Sequence, residues 1–213
     1  LVARRYRHGI AGRLDAKGEE LVPLDEKAVR AAASSLIEQG VRAVAVALLH
    51  SYVNPAHEDR IATILREEFP SLSVSASSEI CREYREYERG MTTVLDAYIR
   101  PIFERYISEL QDGLRSRGFG GQFMVRRSSG GATTAELATR APIFTVLSGP
   151  AGGIVGATEL ARALDRPRVI TLDYGGTSLD TSVIEDFLPT VAHQASLESL
   201  PVLMPIFDIR CIG

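Results

Sequence analysis

The sequence predicts an α/β fold, and three observations carry that expectation. Residues 24–40 show helical spacing and are followed by an uninterrupted apolar run, Ala43-Val44-Ala45-Val46-Ala47-Leu48-Leu49. Such a run is the mark of a strand covered on both faces. A second run, Val169-Ile170-Thr171-Leu172, enters a turn at Gly175-Gly176 and leaves through Thr181-Ser182-Val183-Ile184. That order reads as strand, tight glycine turn, strand: a β-hairpin. Between the two, residues 83–118 repeat apolar side chains every three or four positions, as a long helix does.

Taken in order, residues 3–14 alternate loosely, and Asp15-Ala16-Lys17-Gly18 is a turn before Glu19-Glu20-Leu21-Val22. Asp25 is the N-cap of a helix with the stripe Val29, Ala32, Ala33 and Leu36, and Gly40 ends it. After the apolar run, Asn54 can cap the next helix and Pro55 suits its first turn, with Ile61, Ile64 and Leu65 facing inward. His50, His57 and Glu58 sit at this junction, but six residues separate the histidines across a loop-to-helix boundary. We read them as hydrogen-bonded loop histidines in preference to metal ligands. Pro70 closes the helix and Leu72-Ser73-Val74-Ser75 is a short strand.

The long helix carries Met91, Val94, Leu95, Tyr98, Ile102, Tyr106, Leu110 and Leu114 as its stripe, and Pro101 is expected to kink or break it near Arg100. Its charged, hydroxyl-rich start at Glu86–Thr93 reads as a solvated first turn, with substrate contact as the competing reading. Phe123-Met124-Val125 reads as a central strand ending at Ser128-Ser129-Gly130-Gly131, the position where open α/β sheets hold ligands; a plain loop is the alternative. Thr134 caps a short helix through Ala138, and Ile143–Leu147 reads as a strand running into Ser148-Gly149-Pro150 and a helix rich in alanine and glycine. Gly152, Gly153 and Gly156 each cost up to ~1 kcal/mol against alanine inside a helix, so close approach or a hinge is expected there. Leu188–Val191 and Val202–Ile206 suggest further strands, and His193 receives no role.

With 213 residues, 45% hydrophobic and 24% charged, the composition is that of an ordinary globular chain. A net charge of −3 leaves no basic footprint for nucleic acid. No apolar run reaches the ~18 residues of a membrane span, and the first residues lack a signal-peptide pattern. Cys81 and Cys211 form no metal spacing and no disulfide framework, so the setting is read as reducing and cytoplasmic, with both thiols structural. A phosphate loop ending in G-K-S or G-K-T and a G-x-S-x-G elbow are both absent, so Ser148 is not read as a hydrolase nucleophile.

The stretch with most chemistry is Asp173-Tyr174-Gly175-Gly176-Thr177-Ser178-Leu179-Asp180. Glycine lets a phosphate approach backbone N–H groups with no Cβ in the way, and the two aspartates offer oxygen ligands or water partners to Mg²⁺. A polar hairpin with no ligand is the competing reading. A dinucleotide fold is a further one, since Gly149-Pro150-Ala151-Gly152-Gly153 precedes a helix and then an acid at Asp173. Against it, the turn has no G-x-G pair and Asp173 enters a hairpin where that fold needs a crossover.

The order Leu147-Ser148-Gly149-Pro150-Ala151-Gly152-Gly153, helix, strand, then Asp173–Asp180 resembles the start of the second half of an actin-like ATPase core. It resembles most the hydantoinase A/oxoprolinase family, which includes N-methylhydantoinase A-like proteins and acetone carboxylase beta subunits. His50–Glu58 and Glu86–Thr93 are also similar to stretches of that family, with Gly90 and Met91, Ser129, Tyr174 and Leu179 departing from it. The resemblance implies an actin-like (ribonuclease H-like) α/β fold. Residues 1–165 would then be the later part of a first domain with its connecting helix, and 166–213 the opening strands of a second. It implies an internal fragment of an ATP- and Mg²⁺-dependent cyclic-amide hydrolase, in which phosphorylation activates the substrate carbonyl. A ketone carboxylase subunit is the alternative, and a second, metal-binding subunit of the hydantoinase B kind is an implied partner. The expected catalytic residues are Asp173 and Asp180, with Asp173 also the metal ligand. Gly175, Gly176, Thr177, Ser178, Ser148, Gly149 and Gly130 are expected to bind nucleotide. Because ATP in such a core closes between two hairpins and only one is present, residues 1–213 alone are expected to bind Mg-ATP weakly and turn nothing over.

Overall fold

In the computed structural model, which describes residues 2–176, 178–197 and 199–212, the chain packs as two units. The first comprises residues 1–109 with 198–203, the second residues 110–197 with 204–213.

The first unit opens with a small antiparallel pair, β1 (Arg13–Leu14) and β2 (Glu20–Val22), whose turn is closed by the Asp15 carboxylate accepting from the Lys17 and Glu19 N–H groups, both at 2.8 Å. Helix α1 (Glu26–Glu38) starts as its sequence requires, with Asp25 accepting from the Ala28 N–H at 3.0 Å. Val29, Ala33 and Leu36 are buried, and Gly40 takes the left-handed conformation just past its end. Strand β3 (Ala43–Val46), helix α2 (Ala56–Glu68) and strand β4 (Ser73–Ala76) form a βαβ unit, with β3 and β4 parallel in register from Ala43↔Ser73 to Val46↔Ala76. Its core joins Val29 and Ala33 of α1, Ile61, Ile64 and Leu65 of α2, and Val46 and Val74 of the strands.

Strand β3 stops three residues short of the apolar run that encodes it, and Ala43, Val44 and Ala45 are only half-buried. The reason is polar. The buried Glu58 carboxylate accepts the Leu48 N–H at 2.7 Å, and the Leu48 carbonyl accepts from Arg89 at 2.7 Å, so Leu48 has left the ladder.

After α3 (Ser77–Ile80), helix α4 (Glu86–Ser116) runs unbroken through Pro101. Immediately before the proline, Arg100 donates to Asp96 at 2.6 Å and to Ser75 at 2.8 Å, and Ser75 donates to Asp96 at 2.6 Å. This network anchors the helix where the missing proline N–H weakens it. It also reassigns the buried face. Tyr98, Ile102 and Tyr106 are exposed, while Arg89, Thr92, Thr93, Asp96 and Arg100 are buried beside Leu95 and Ile107.

The second unit contains β5 (Met124–Arg126), β6 (Ala132–Thr134), α5 (Ala135–Arg140), a single 3₁₀ turn (Pro142–Thr145) and α6 (Ser148–Ala163). Thr134 caps α5, accepting from the Leu137 N–H at 3.3 Å. There follow β7 (Arg168–Tyr174), β8 (Leu179–Glu185), β9 (Leu188–Pro189), β10 (Val191–Leu197), β11 (Leu200–Phe207, beginning in the first unit) and β12 (Arg210–Ile212). A sheet of order β12-β8-β7, with β9 beside β8, forms the platform for the site.

In the second unit, two segments read as strands depart from that expectation. Residues 124–126 are not a central strand: β5 pairs antiparallel with β6, and the glycine turn is that hairpin's tip. Gly130 and Gly131 both have positive φ, and the Arg127 N–H bonds the Gly131 carbonyl at 3.2 Å. Residues 143–147 are not a strand either. Proline at the first position favours a helical turn, and the Phe144 carbonyl accepts the Ser128 N–H and hydroxyl, each at 2.8 Å. Among the described residues no helix is long and apolar enough to cross a membrane.

Candidate functional site

The β7–β8 hairpin places its side chains by strand alternation. Cross-strand partners are Val169↔Ile184, Thr171↔Ser182 and Asp173↔Asp180, so these three pairs share one face. The opposite face carries Ile170, Leu172 and Tyr174, all exposed. Strand β12 adds Cys211, the Cα partner of Asp180. Asp173, Asp180 and Cys211 therefore form one row across three strands.

Helix α6 lies against the Asp173 face. A Cβ on Gly153 would stand 3.9 Å from the Asp173 Oδ2, and one on Gly152 would stand 3.4 Å from the Arg126 Cδ and Nε. The small residues of this helix thus make room for two charged side chains, whereas Gly149 and Gly156 face open space. An open cavity of about 340 Å³ lies between helix and sheet. Pro150, Gly153, Ile154 and Ala157 line it from α6, and Thr171, Asp173, Asp180 and Ser182 from the sheet.

The expected site residues divide accordingly. Asp173 and Asp180 come together at the cavity. Ser148 and Gly149 begin the helix that walls it, directly before Pro150 but outside the lining. At the hairpin tip the Gly175 N–H is donated to the Ser178 carbonyl at 3.0 Å, so it closes the turn and is not free for a phosphate. Gly176 has open space where a Cβ would stand, and Thr177 lies outside the described residues. Gly130 is buried with φ +79°, and a Cβ there would stand 2.6 Å from the Phe207 Cζ. Packing explains that glycine without a ligand.

The cysteines separate. Cys81 is buried, and burial followed by the neighbouring Glu83 charge pushes its thiol up to about 11. Cys211, expected to be structural, is exposed and touches the candidate site. The Asp180 carboxylate opposite it holds the thiol above its usual range, while Ser178 pulls the other way. Sequence reasoning passed over Thr171, Ser182 and Cys211. Alternation from Asp180 would have reached Ser182, but the pairing of Cys211 needed the β12–β8 register.

In the first unit, His57 bonds Glu20 at 2.7 Å through Nε2. Glu58 is fully buried and accepts the Ser77 hydroxyl at 2.8 Å and the Ser78 N–H at 2.7 Å. Among the described residues no group of three His, Cys, Asp or Glu side chains is placed to hold a metal ion.

Two family models match the chain: hydantoinase/oxoprolinase over residues 89–213, and hydantoinase/oxoprolinase N-terminal region over residues 1–69. The chain is similar to the acetophenone carboxylase gamma subunit of Aromatoleum aromaticum, 36% identical over 189 residues, or 86% of this chain and 26% of that one. It superposes on the crystal structure of the ATP-dependent caprolactamase from Pseudomonas jessenii with a TM-score of 0.87 and 30% identity, covering 100% of this chain and 31% of that one. It superposes on nucleotide-free acetone carboxylase, from a structure describing ATP-dependent acetone carboxylation, with a TM-score of 0.84 and 29% identity, covering 96% and 29% of the two chains. The chain therefore spans less than a third of each relative. From the two family models and the end-to-end likeness to these enzymes, the chain belongs to the hydantoinase/oxoprolinase family.

Proposed function

We propose that the protein to which this chain belongs uses ATP to open a cyclic amide, with the carbonyl activated by phosphorylation. The observation that carries this reading is the pairing of Asp173 and Asp180 over a cavity walled by the first turns of α6. A family that includes an ATP-dependent caprolactamase gives that geometry its context. On this reading the fold is that of the actin-like ATPases, with residues 1–165 the end of a first domain and 166–213 the start of a second. That division follows the expected repeat of the fold, not the grouping of the chain into contact-rich units.

The donor set fits Mg²⁺. Two carboxylates face one cavity, and Mg²⁺ takes oxygen ligands while keeping several waters for phosphate and solvent to share. Asp173 would hold the ion or its waters and Asp180 would support it, with Cys211 beside Asp180 on the neighbouring strand. The Ser148 and Gly149 N–H groups start a sixteen-residue helix with no side-chain cap, which suits a phosphate oxygen. Gly176 and the Ser178 hydroxyl lie at the turn beyond them, and Thr177 keeps its expected place in the same set. ATP with Mg²⁺ would supply the transferable phosphoryl group, and the chain's own residues position it and stabilise charge.

A second reading has a specific observation behind it: the likeness to acetone and acetophenone carboxylases makes an ATP-dependent ketone carboxylase subunit the alternative substrate class. Relatives named as subunits support a partner chain, for which we propose a hydantoinase B-like, metal-binding protein. We propose a cytoplasmic setting, consistent with two unpaired cysteines.

The test is nucleotide release by the whole protein, with its partner if one copurifies. Hydantoin, oxoproline, caprolactam, acetone and acetophenone would be offered in turn. Lactam-stimulated ADP release supports the hydrolase; ketone- and bicarbonate-dependent release of ADP or AMP moves it to the carboxylase. Asp173→Ala should reduce either activity at least a hundredfold, the scale of losing a group that positions transition-state charge, with the melting temperature unchanged. Retained activity in that variant would remove Asp173 from the site.

A further inference from the structure

We infer that Ser182 is a positioning residue of the Asp173–Asp180 site, reaching the hydrated cation through its hydroxyl. The inference rests on the nucleotide reading above and extends it to a residue that reading does not require. Ser182 is 2% exposed, and its Oγ has no hydrogen-bond partner among the described residues. Buried hydroxyls in folded proteins are nearly always bonded, and leaving one unpaired costs about 1–3 kcal/mol. A strand interior offers an easy escape, since alanine or valine there would carry no such cost. The local partner one would expect is already occupied: the Thr171 hydroxyl opposite accepts the Ser182 N–H at 3.1 Å and donates to the Ser182 carbonyl at 3.3 Å.

The position of that unpaired group is what gives it meaning. Ser182 follows Asp180 by one strand repeat, so both project from the same face, and both line the cavity with Asp173. A hydroxyl set deeper than two carboxylates matches the water shell of a divalent cation. Mg²⁺ keeps most of its waters, and each needs an acceptor or a bridging hydroxyl to order it. Ser182 would hold one such water from below while the aspartates hold others from the rim.

Calorimetry on the whole protein tests this without turnover, with Mg·ADP and with ADP in excess chelator as the two probes. Ser182→Ala should weaken Mg·ADP about three- to tenfold, the scale of one hydrogen bond, and leave chelated ADP unchanged. Its melting temperature should stay equal or rise, since an unpaired polar atom has been removed. Ser182→Thr, which keeps the hydroxyl, should restore the Mg²⁺-dependent part. Asp173→Asn is the control. If Asp173→Asn loses Mg·ADP affinity and Ser182→Ala does not, the role of Ser182 is overturned and the nucleotide reading stands. If Asp173→Asn also binds Mg·ADP normally, the nucleotide reading itself falls, and the role of Ser182 with it.

Discussion

Gly130 shows how a single residue can carry a requirement that has nothing to do with a ligand. Its φ of +79° is strained for any side chain, and the close approach of Phe207 leaves a Cβ no space unless the buried ring moves. Gly130→Ala should destabilise the protein by about 1–3 kcal/mol through strain and overpacking, read as a lower denaturant midpoint at unchanged slope. Nucleotide affinity measured below the transition should be unaffected. Gly175 makes a related point, because its N–H is consumed in closing the hairpin and its value to the site is the tightness of the turn. The two aspartates are the residues whose placement was legible. An acid on each side of a glycine turn must fall in cross-strand register if the turn is tight, and it is.

At the scale of elements, α4 is the case where periodicity pointed the wrong way round the helix. Tyr98, Ile102 and Tyr106 repeat at helical spacing yet are exposed, and the inward face is built from Arg89, Thr92, Asp96 and Arg100. Hydropathy cannot find such a face, because its charges become acceptable through partners along the helix and on a distant strand. Ser75 is the strand partner for Asp96 and Arg100, and Thr92 accepts the Leu203 N–H at 2.9 Å. Removing one member of a buried pair leaves the other charge uncompensated. Asp96→Ala should therefore cost about 3–5 kcal/mol in chemical denaturation, and the paired change Asp96→Leu with Arg100→Met distinctly less. By contrast α1, α2 and α5 began and ended close to their sequence signals, since a cap such as Asp25 or Thr134 acts within one turn.

For the whole molecule, an exposed network of ion pairs between α1 and α2 sets a pH dependence. Glu26 accepts from Arg60 at 2.7 Å and from Arg30 at 3.1 Å, and Arg30 also donates to Glu68 at 2.6 Å. Hydrogen bonds from Arg60 and Arg30 lower the Glu26 carboxyl from 4.5 to about 2, and Arg30 lowers Glu68 in the same direction. A depressed carboxylate contributes stability above its unfolded value and loses it as pH falls through the folded one. Melting temperature should thus decline between about pH 4.5 and pH 2, and Glu26→Gln should remove part of that slope. Added salt should shrink the difference, since both partners are exposed.

What the sequence by itself determined is what acts over a few residues. The α/β alternation, the caps of α1 and α5, the glycine hairpin with its paired aspartates, and membership of the hydantoinase/oxoprolinase family all rest on neighbouring residue types and spacing. What only the tertiary structure decided is where distant segments meet. The 3₁₀ turn at Pro142–Thr145, the early end of β3 at Val46, the polar underside of α4, Cys211 against Asp180 and the solitary hydroxyl of Ser182 are all of this kind. Each depends on a hydrogen bond given or withheld by a residue far away in the chain. Burial makes that bond worth more than the local preference it overrides.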